Sequence, residues 1–350
     1  VIFLPSENTT SPTNRSPGLD EIYRRIQTAN VVIYCLIVIF GTLGNGLVIY
    51  VTGFKMKRSV NSVWFLNLAL ADFLFTTFLI FSTVSLSRGH QWPFGQPMCK
   101  FSNFLSLVNM FASVFFLTAI SLDRCVSIWV VAWAQNKRSV RKAQIMCVVV
   151  WVTAAICSIP NATFRSVKEI RGVFKCVYGR EMTPEQKWIL YTFRFVMGFL
   201  IPFLVILVSY VAIGIRARRL HNTRKRRPCR IILSIIFAFF ICWLPFHVVS
   251  FMELKAKTNP SLRSVVKIGG PVTLTLAFMN SALNPILYVF MCEEFQKKLK
   301  RSICFVLESA LAEDPTSFKS SRSFSTQLSR IVHKSESAPL EDRKLSTDLN

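Results

Sequence analysis

Asp72 closes the run Leu66-Asn67-Leu68-Ala69-Leu70-Ala71-Asp72, a carboxylate in largely apolar surroundings. Other polar residues are set into apolar stretches in the same way. Asn45 lies between Gly44 and Gly46, Asn109 and Ser113 are four apart on one helical face, and Asn280, Ser281 and Asn284 recur at helical spacing. A charged side chain at the centre of a lipid-spanning helix costs at least about 2.5–3.5 kcal/mol, so each such group needs a reason. Asp72 with neutral oxygens from Asn109, Ser113, Asn280 and Asn284 could hold a hydrated monovalent cation, sodium being the candidate. The same groups could instead form a hydrogen-bond network that joins helices. Arg194, in Tyr191-Thr192-Phe193-Arg194-Phe195, poses a second question, because a guanidinium in an apolar stretch needs an anion. No metalloenzyme pattern competes with these readings: the four histidines share no ligand spacing, and the ten cysteines match no zinc motif.

The elements that must carry these residues follow from composition. Of 350 residues, 52% are hydrophobic and 17% charged, with a mean hydropathy of +0.42. Soluble domains carry about 25% charged residues, so an ordinary soluble enzyme and a disordered chain are both excluded. Seven stretches, roughly 29–54, 61–86, 97–128, 141–161, 188–216, 229–254 and 265–290, exceed the ~20 residues that cross a bilayer as a helix. An all-α membrane protein with seven transmembrane helices is therefore expected. No internal repeat is present, which disfavours an inverted-repeat transporter.

Basic residues fix the orientation. The net charge is +24, and much of the excess gathers in Lys55–Arg58, Lys137–Lys142, Arg216–Arg230 and Lys297–Arg301. Seven crossings put all four clusters on one side, which should be cytoplasmic. Charge divided among loops pinned to a bilayer is a poor nucleic-acid surface, so no nucleic-acid partner is expected; topology and lipid headgroups account for it. Three Asn-x-Ser/Thr patterns, at Asn8, Asn14 and Asn161, fall on the outer side as candidate glycosylation sites. The chain opens on Val1 rather than Met, so further residues are expected ahead of it, and no signal peptide is recognisable. The expected organisation is an extracellular segment over 1–28, the membrane domain over 29–290, a membrane-surface amphipathic helix over 292–304 and a Ser/Thr-rich cytoplasmic tail over 305–350. The tail lacks hydrophobic periodicity and is read as disordered.

Pro202, Pro245 and Pro285 lie inside the last three spans and mark kinks. Their neighbours carry more information. Gly44-Asn45, Leu68-Ala69-Leu70-Ala71-Asp72, Asp123-Arg124-Cys125, Trp151, Pro202 with Tyr210, Cys242-Trp243-Leu244-Pro245 and Asn284-Pro285-Ile286-Leu287-Tyr288 occur in successive spans. In these marks the chain resembles rhodopsin-like (class A) G-protein-coupled receptors over roughly residues 25–312. Trp92-Pro93-Phe94-Gly95, Asn109-Met110-Phe111-Ala112-Ser113 and Trp133-Ala134-Gln135-Asn136 are similar to the chemoattractant peptide branch. Phe164-Arg165 and Glu253-Leu254 resemble chemerin-like receptors most, then formyl-peptide receptors.

The resemblance implies a receptor and not an enzyme, with a disulfide between Cys99 and Cys176. It implies that Asp123 holds Arg124 in the off state and that Arg124 meets the G protein in the on state, supported by Tyr210 and Tyr288. Trp243, Pro245, Asn284 and Pro285 would form the switch. Cys125 replaces the usual tyrosine, and Lys225 stands where some relatives clamp Arg124 with an acid. A loose off state with measurable basal activity is therefore expected. Arg194 is the candidate anchor for a ligand carboxylate, most simply a peptide C-terminus, with Arg165 a second anchor and Glu253 facing a ligand amine or balancing the arginines. An internal partner is the alternative, but Asp72 lies deeper and Glu253 nearer the rim. Asn103, Phe104, Leu107, Trp243, His247 and Phe278 would line the pocket. Cys304 is a candidate for palmitoylation beside the basic Lys297–Arg301 run.

The function this implies is a plasma-membrane receptor, N-terminus outside, for a chemerin-like peptide or small protein. It would signal through an inhibitory-class G protein to chemotaxis, with arrestin and a receptor kinase acting on the phosphorylated tail. Formyl-peptide or anaphylatoxin ligands, a non-signalling scavenger of the same fold and a seven-span transporter are the alternatives. Basic outer residues such as Lys168, Lys175 and Lys187 weigh against a strongly cationic ligand.

Overall fold

A computed structural model of the chain describes residues 17–131, 137–170, 172–179, 182–219, 226–256 and 259–291. The expected surface helix over 292–304 and the tail over 305–350 lie outside the described residues, as do Asn8, Asn14, Lys225 and Cys304. Seven helices are long and apolar enough to cross a membrane: Glu21–Lys55, Val60–Ser87, Gly95–Trp129, Val140–Thr163, Pro184–Arg216, Ile236–Lys255 and Ser261–Ile286. They form a seven-helix membrane bundle, and they are called the first to seventh spans below.

Local sequence accounts for several boundaries. Ser59 and Ser62 form a reciprocal capping box before the second span, and Thr183 and Gln186 do the same before the fifth, with Pro184 behind the cap. The first helix starts at Pro17, well ahead of the apolar stretch expected from 29. Residues 17–28 are thus helical and continue into the first span. Polarity hid them: Asp20, Glu21, Arg24, Arg25 and Gln27 interrupt the apolar residues, yet Glu21 pairs with Arg24 and Arg25 at helical spacing, which supports the helix.

The third span is the hub, with 67% of its apolar window buried against 28% in the first and fourth. The fourth presents Ile145, Val148, Val152 and Ile156 outward, the face that meets lipid. Trp151 of the fourth span packs edge-on against Phe116 of the third at 5.9 Å, and its Nε1 donates to Asn67 Oδ1 of the second at 3.0 Å.

Gly198 and Gly44 are among the glycines that mark close approaches. A Cβ on Gly198 would meet Met110 Cε at 2.8 Å, within a π-helical turn, Val196–Leu200, that ends just before Pro202. Proline cannot donate to the carbonyl four residues back, and a widened turn relieves the clash. A Cβ on Gly44 would meet Pro285 Cβ at 2.9 Å. The proline ring cannot swing aside, so Gly44→Val is expected to wedge the first and seventh spans apart at a cost of about 1–3 kcal/mol. A melting temperature in lipid nanodiscs lower by several degrees is the expected result; an unchanged one contradicts the close packing.

The expected bundle of seven helices is what the chain forms, and one of its connections adds a short strand pair. The connection between the fourth and fifth spans folds as an antiparallel hairpin, β1 Arg165–Ile170 with β2 Val173–Tyr178, in register from Arg165↔Tyr178 to Ile170↔Val173. Gly172 turns it at φ +76°, a backbone conformation that costs glycine little. Alternation of charged and apolar residues such as Val167-Lys168 is the sequence trace of this hairpin, short beside seven long apolar runs.

Candidate functional site

Three polar constellations lie along the bundle. The innermost is built on Asp72, which is fully buried. Asn109 Nδ2 donates to its Oδ1 at 2.8 Å, and Asn284 Nδ2 donates to its Oδ2 at 2.7 Å. Ser281 Oγ donates to Asn109 Oδ1 at 3.1 Å, while Asn45 Nδ2 donates to the Ser281 carbonyl at 2.9 Å. One network thus joins the first, second, third and seventh spans. Ser113 Oγ, Asn280 Oδ1 and Asn284 Oδ1 are buried without a hydrogen-bond partner among the described residues. Those oxygens are the hard donors a monovalent cation needs, and Asp72 supplies the charge. The residue set therefore fits such an ion, although both carboxylate oxygens also serve amide donors.

The second constellation, at the hairpin end of the bundle, is anchored by a disulfide between Cys99 and Cys176, with Cα atoms 5.7 Å apart. Gln96 adds a second tie to the hairpin: Nε2 donates to the Arg165 carbonyl at 3.0 Å, and Oε1 accepts from Val167 N at 2.6 Å. Trp92 packs on the two cysteines, and its backbone N donates to the Phe174 carbonyl at 2.7 Å. Beneath the hairpin is a cavity between the first, second, third and seventh spans, lined by Tyr34, Ser85, Asn103, Arg165 and Phe278 among others. Both side-chain polar atoms of Asn103 lack a partner among the described residues. His90 also lines it, at φ +68°, in the turn after the second span. Burial and the nearby Lys175 ammonium depress its pKa to about 4. A neutral ring can then accept at Nε2 from the Gln27 amide, 2.7 Å away.

Arg165 and Arg194 are each 1% exposed. The Arg165 guanidinium lies 3.8 Å over the Tyr178 ring, its partner in the hairpin register. Arg194 donates from Nη2 to Ser250 Oγ at 2.9 Å and rests 4.7 Å and 4.6 Å from the Tyr191 and Phe246 rings. Neither is among the ion pairs of the described residues, which are Arg24–Glu21, Arg25–Glu21 and Arg138–Asp123. Arg165 Nε and Nη2 and Arg194 Nε and Nη1 are without a hydrogen-bond partner among the described residues. Glu253, the nearest expected internal partner, instead accepts from the Tyr191 hydroxyl at 3.0 Å.

The expected pocket residues therefore divide. Arg165, Asn103 and Phe278 line the cavity. Arg194 and Glu253 belong to a second cluster on the fifth and sixth spans, joined through Tyr191 and Ser250. Trp243 and His247 sit in an aromatic block, with His247 5.6 Å from Phe195, 5.3 Å from Phe199 and 5.6 Å from Phe246. Leu107 is buried and Phe104 half-buried on the third span, away from that cavity's wall. Tyr191 and Ser250 were not anticipated, yet each lies three residues before an anticipated residue, one helical turn away on the same face.

Asn161 is a correction. It is 5% exposed at the end of the fourth span, and its Oδ1 accepts from the Tyr178 hydroxyl at 2.6 Å. A glycan acceptor must be open to solvent, so Asn161 does not qualify; the tripeptide pattern carries no burial information.

The third constellation, at the end of the bundle that carries Asp123 and Arg124, also departs from expectation. Asp123 does not hold Arg124: its carboxylate is taken by Arg138, which donates from Nε at 2.9 Å and from Nη2 at 2.8 Å. Arg124 Nη2 and Arg138 Nη2 both donate to Asn61 Oδ1, the second at 2.8 Å. Tyr210 is half-buried in the fifth span; Tyr288 lies in the seventh helix, its side chain outside those described.

A family model described as 7 transmembrane receptor (rhodopsin family) matches residues 44–288. Chemerin-like receptor 1 of Sus scrofa is 42% identical over 313 residues, covering 84% of this chain and 85% of the relative. The C3a anaphylatoxin chemotactic receptor of Oncorhynchus mykiss is 36% identical over 335 residues, covering 93% and 91%. Prostaglandin D2 receptor 2 of Mus musculus is 37% identical over 302 residues, covering 83% and 79%.

Proposed function

Because the chain belongs to the rhodopsin family of seven-transmembrane receptors, we propose that it is a G-protein-coupled receptor for a chemoattractant peptide, and not an enzyme. It sits in the plasma membrane with its N-terminus outside and signals through an inhibitory-class G protein to chemotaxis. A receptor kinase and arrestin act on the Ser/Thr-rich tail, and Cys304 carries a lipid chain. A chemerin-like ligand is the first choice, since several chemerin-like receptors stand at about 42% identity.

The observation that carries this reading is the Arg194 guanidinium, buried with two nitrogens unsatisfied. Leaving such donors bare in the interior costs free energy that an arriving carboxylate returns as charge-assisted hydrogen bonds. A peptide C-terminus supplies that group, and Arg165 engages a second anionic or carbonyl oxygen. Only a ligand that binds the open form better than the closed one shifts the population. Binding beside Phe246 bears on Trp243, 5.6 Å from that ring and two residues before Pro245. The kinked sixth span then opens at its inner end and Arg124 becomes available to the G protein. Asp72, Asn109, Ser113, Asn280 and Asn284 are the residues that would hold a sodium ion, whose fixed positive charge would stabilise the closed form.

Nucleotide exchange on an inhibitory G protein tests this, with chemerin-derived peptides, formyl peptides, C3a and prostaglandin D2 as the panel. A peptide with a free C-terminal carboxylate is expected to activate, and its C-terminal amide to lose at least tenfold in potency. Equal potency of acid and amide overturns the anchor. A response to prostaglandin alone reassigns the carboxylate to a lipid. Uptake of ligand without exchange identifies a scavenger.

A further inference from the structure

We propose that Arg138, in the loop before the fourth span, is a positioning residue that raises basal signalling by keeping Asp123 from clamping Arg124. The inference rests on the coupling role given to Arg124 above. Three observations carry it. Asp123 is an acidic neighbour of Arg124 in sequence, yet Arg138 makes a two-nitrogen contact with its carboxylate, at 2.9 Å to Oδ1 and 2.8 Å to Oδ2. Arg138 also reaches Asn61 Oδ1 at 2.8 Å, the same acceptor that Arg124 uses. The pair is largely withdrawn from water, with side chains 23% and 12% exposed. A forked guanidinium matches a carboxylate in a way an ammonium does not, so the contact is specific to arginine. Arg138 therefore shares Asn61 with Arg124 and occupies the carboxylate next to it in the chain. Ser139 caps the fourth span directly after it, which fixes where Arg138 leaves the helix.

Removing a competitor strengthens the remaining pair. With Arg138 gone, the bared Asp123 carboxylate turns to Arg124 and holds it in the off state. Substituting Arg138 should thus quieten the receptor, and only while residue 123 is an acid.

The test is basal nucleotide exchange by the full chain in cell membranes, at matched surface abundance. Arg138→Ala is expected to lower it roughly five- to tenfold, the low end of typical coupling energies. Arg138→Lys should lie between the two. In an Asp123→Asn background, Arg138→Ala should change exchange by less than twofold. That rescue separates positioning from a folding defect, because a misfolded loop would not recover when a second residue is changed. Exchange at or above the parent level in Arg138→Ala overturns the proposal. So does an equal loss in the Asp123→Asn background, or a parent whose basal exchange matches untransfected cells. Arg124→Ala is the independent control: unchanged exchange there refutes the coupling reading itself, whatever Arg138 does.

Discussion

Arg194→Met should make the empty receptor more stable and the ligand about a hundredfold weaker. The two effects have one cause. Arg194 is 1% exposed, touches Tyr191 and Phe246 through its flat face, and leaves Nε and Nη1 unsatisfied. Replacing buried ionic groups by apolar ones of similar volume is often neutral or stabilising by about 1–4 kcal/mol. Methionine has the length and softness to fill the space between the two rings. In the complex the sign reverses. Truncating one partner of a buried, hydrogen-bonded charge pair costs about 2–5 kcal/mol, roughly thirtyfold to several thousandfold in affinity. Arg194→Lys keeps the charge and loses the fork, so an intermediate loss of about tenfold is expected. Thermal unfolding in nanodiscs reads the first effect, and the half-maximal dose for nucleotide exchange reads the second. Unchanged potency removes the anchor; a fall in melting temperature with lost potency makes Arg194 a structural residue.

That prediction could be written from the sequence up to a point. A cation about two turns into an apolar stretch announces itself because the cost of burying it is large. Its surroundings do not, since Tyr191 reaches it along one helix and Ser250 across from another. The spans were legible for the same reason as Arg194: the hydrocarbon thickness imposes a length that few other constraints imitate. The Asp72 network was legible because its members are polar residues in apolar runs. What stayed hidden was whatever depended on tertiary neighbours. Asp123 and Arg124 are adjacent in the chain, so pairing them was the local solution. The structure prefers Arg138, fifteen residues on. Nothing in the run Lys137-Arg138-Ser139 distinguishes its arginine from the other basic loop residues. Asn161 failed in the opposite direction, since a motif defined by three residues is blind to the Tyr178 hydroxyl that covers it.

The hairpin carries the second large effect. Cys176→Ser should abolish the response to ligand and sharply reduce the folded receptor at the cell surface, while Cys35→Ser, on the exposed face of the first span, should do neither. The bond joins residues 77 apart, so breaking it releases a long stretch of the unfolded chain from constraint. Loss of a native disulfide costs about 2–5 kcal/mol in small secreted domains. Gln96 still ties Arg165 and Val167 to the third span, and Trp92 still bonds Phe174. Hydrogen bonds of that kind are worth about 1 kcal/mol each and stand partly open to competition from water. They cannot keep the hairpin registered over the cavity without the covalent tie. Arg165 then leaves with the hairpin, its contact with Tyr178 intact, and the cavity loses its lid and its cation together. Cys99→Ser/Cys176→Ser should be no worse than either single change, because each already removes the whole bond. Surface staining and exchange assays decide it: normal abundance and potency in Cys176→Ser would show that the hydrogen bonds alone suffice.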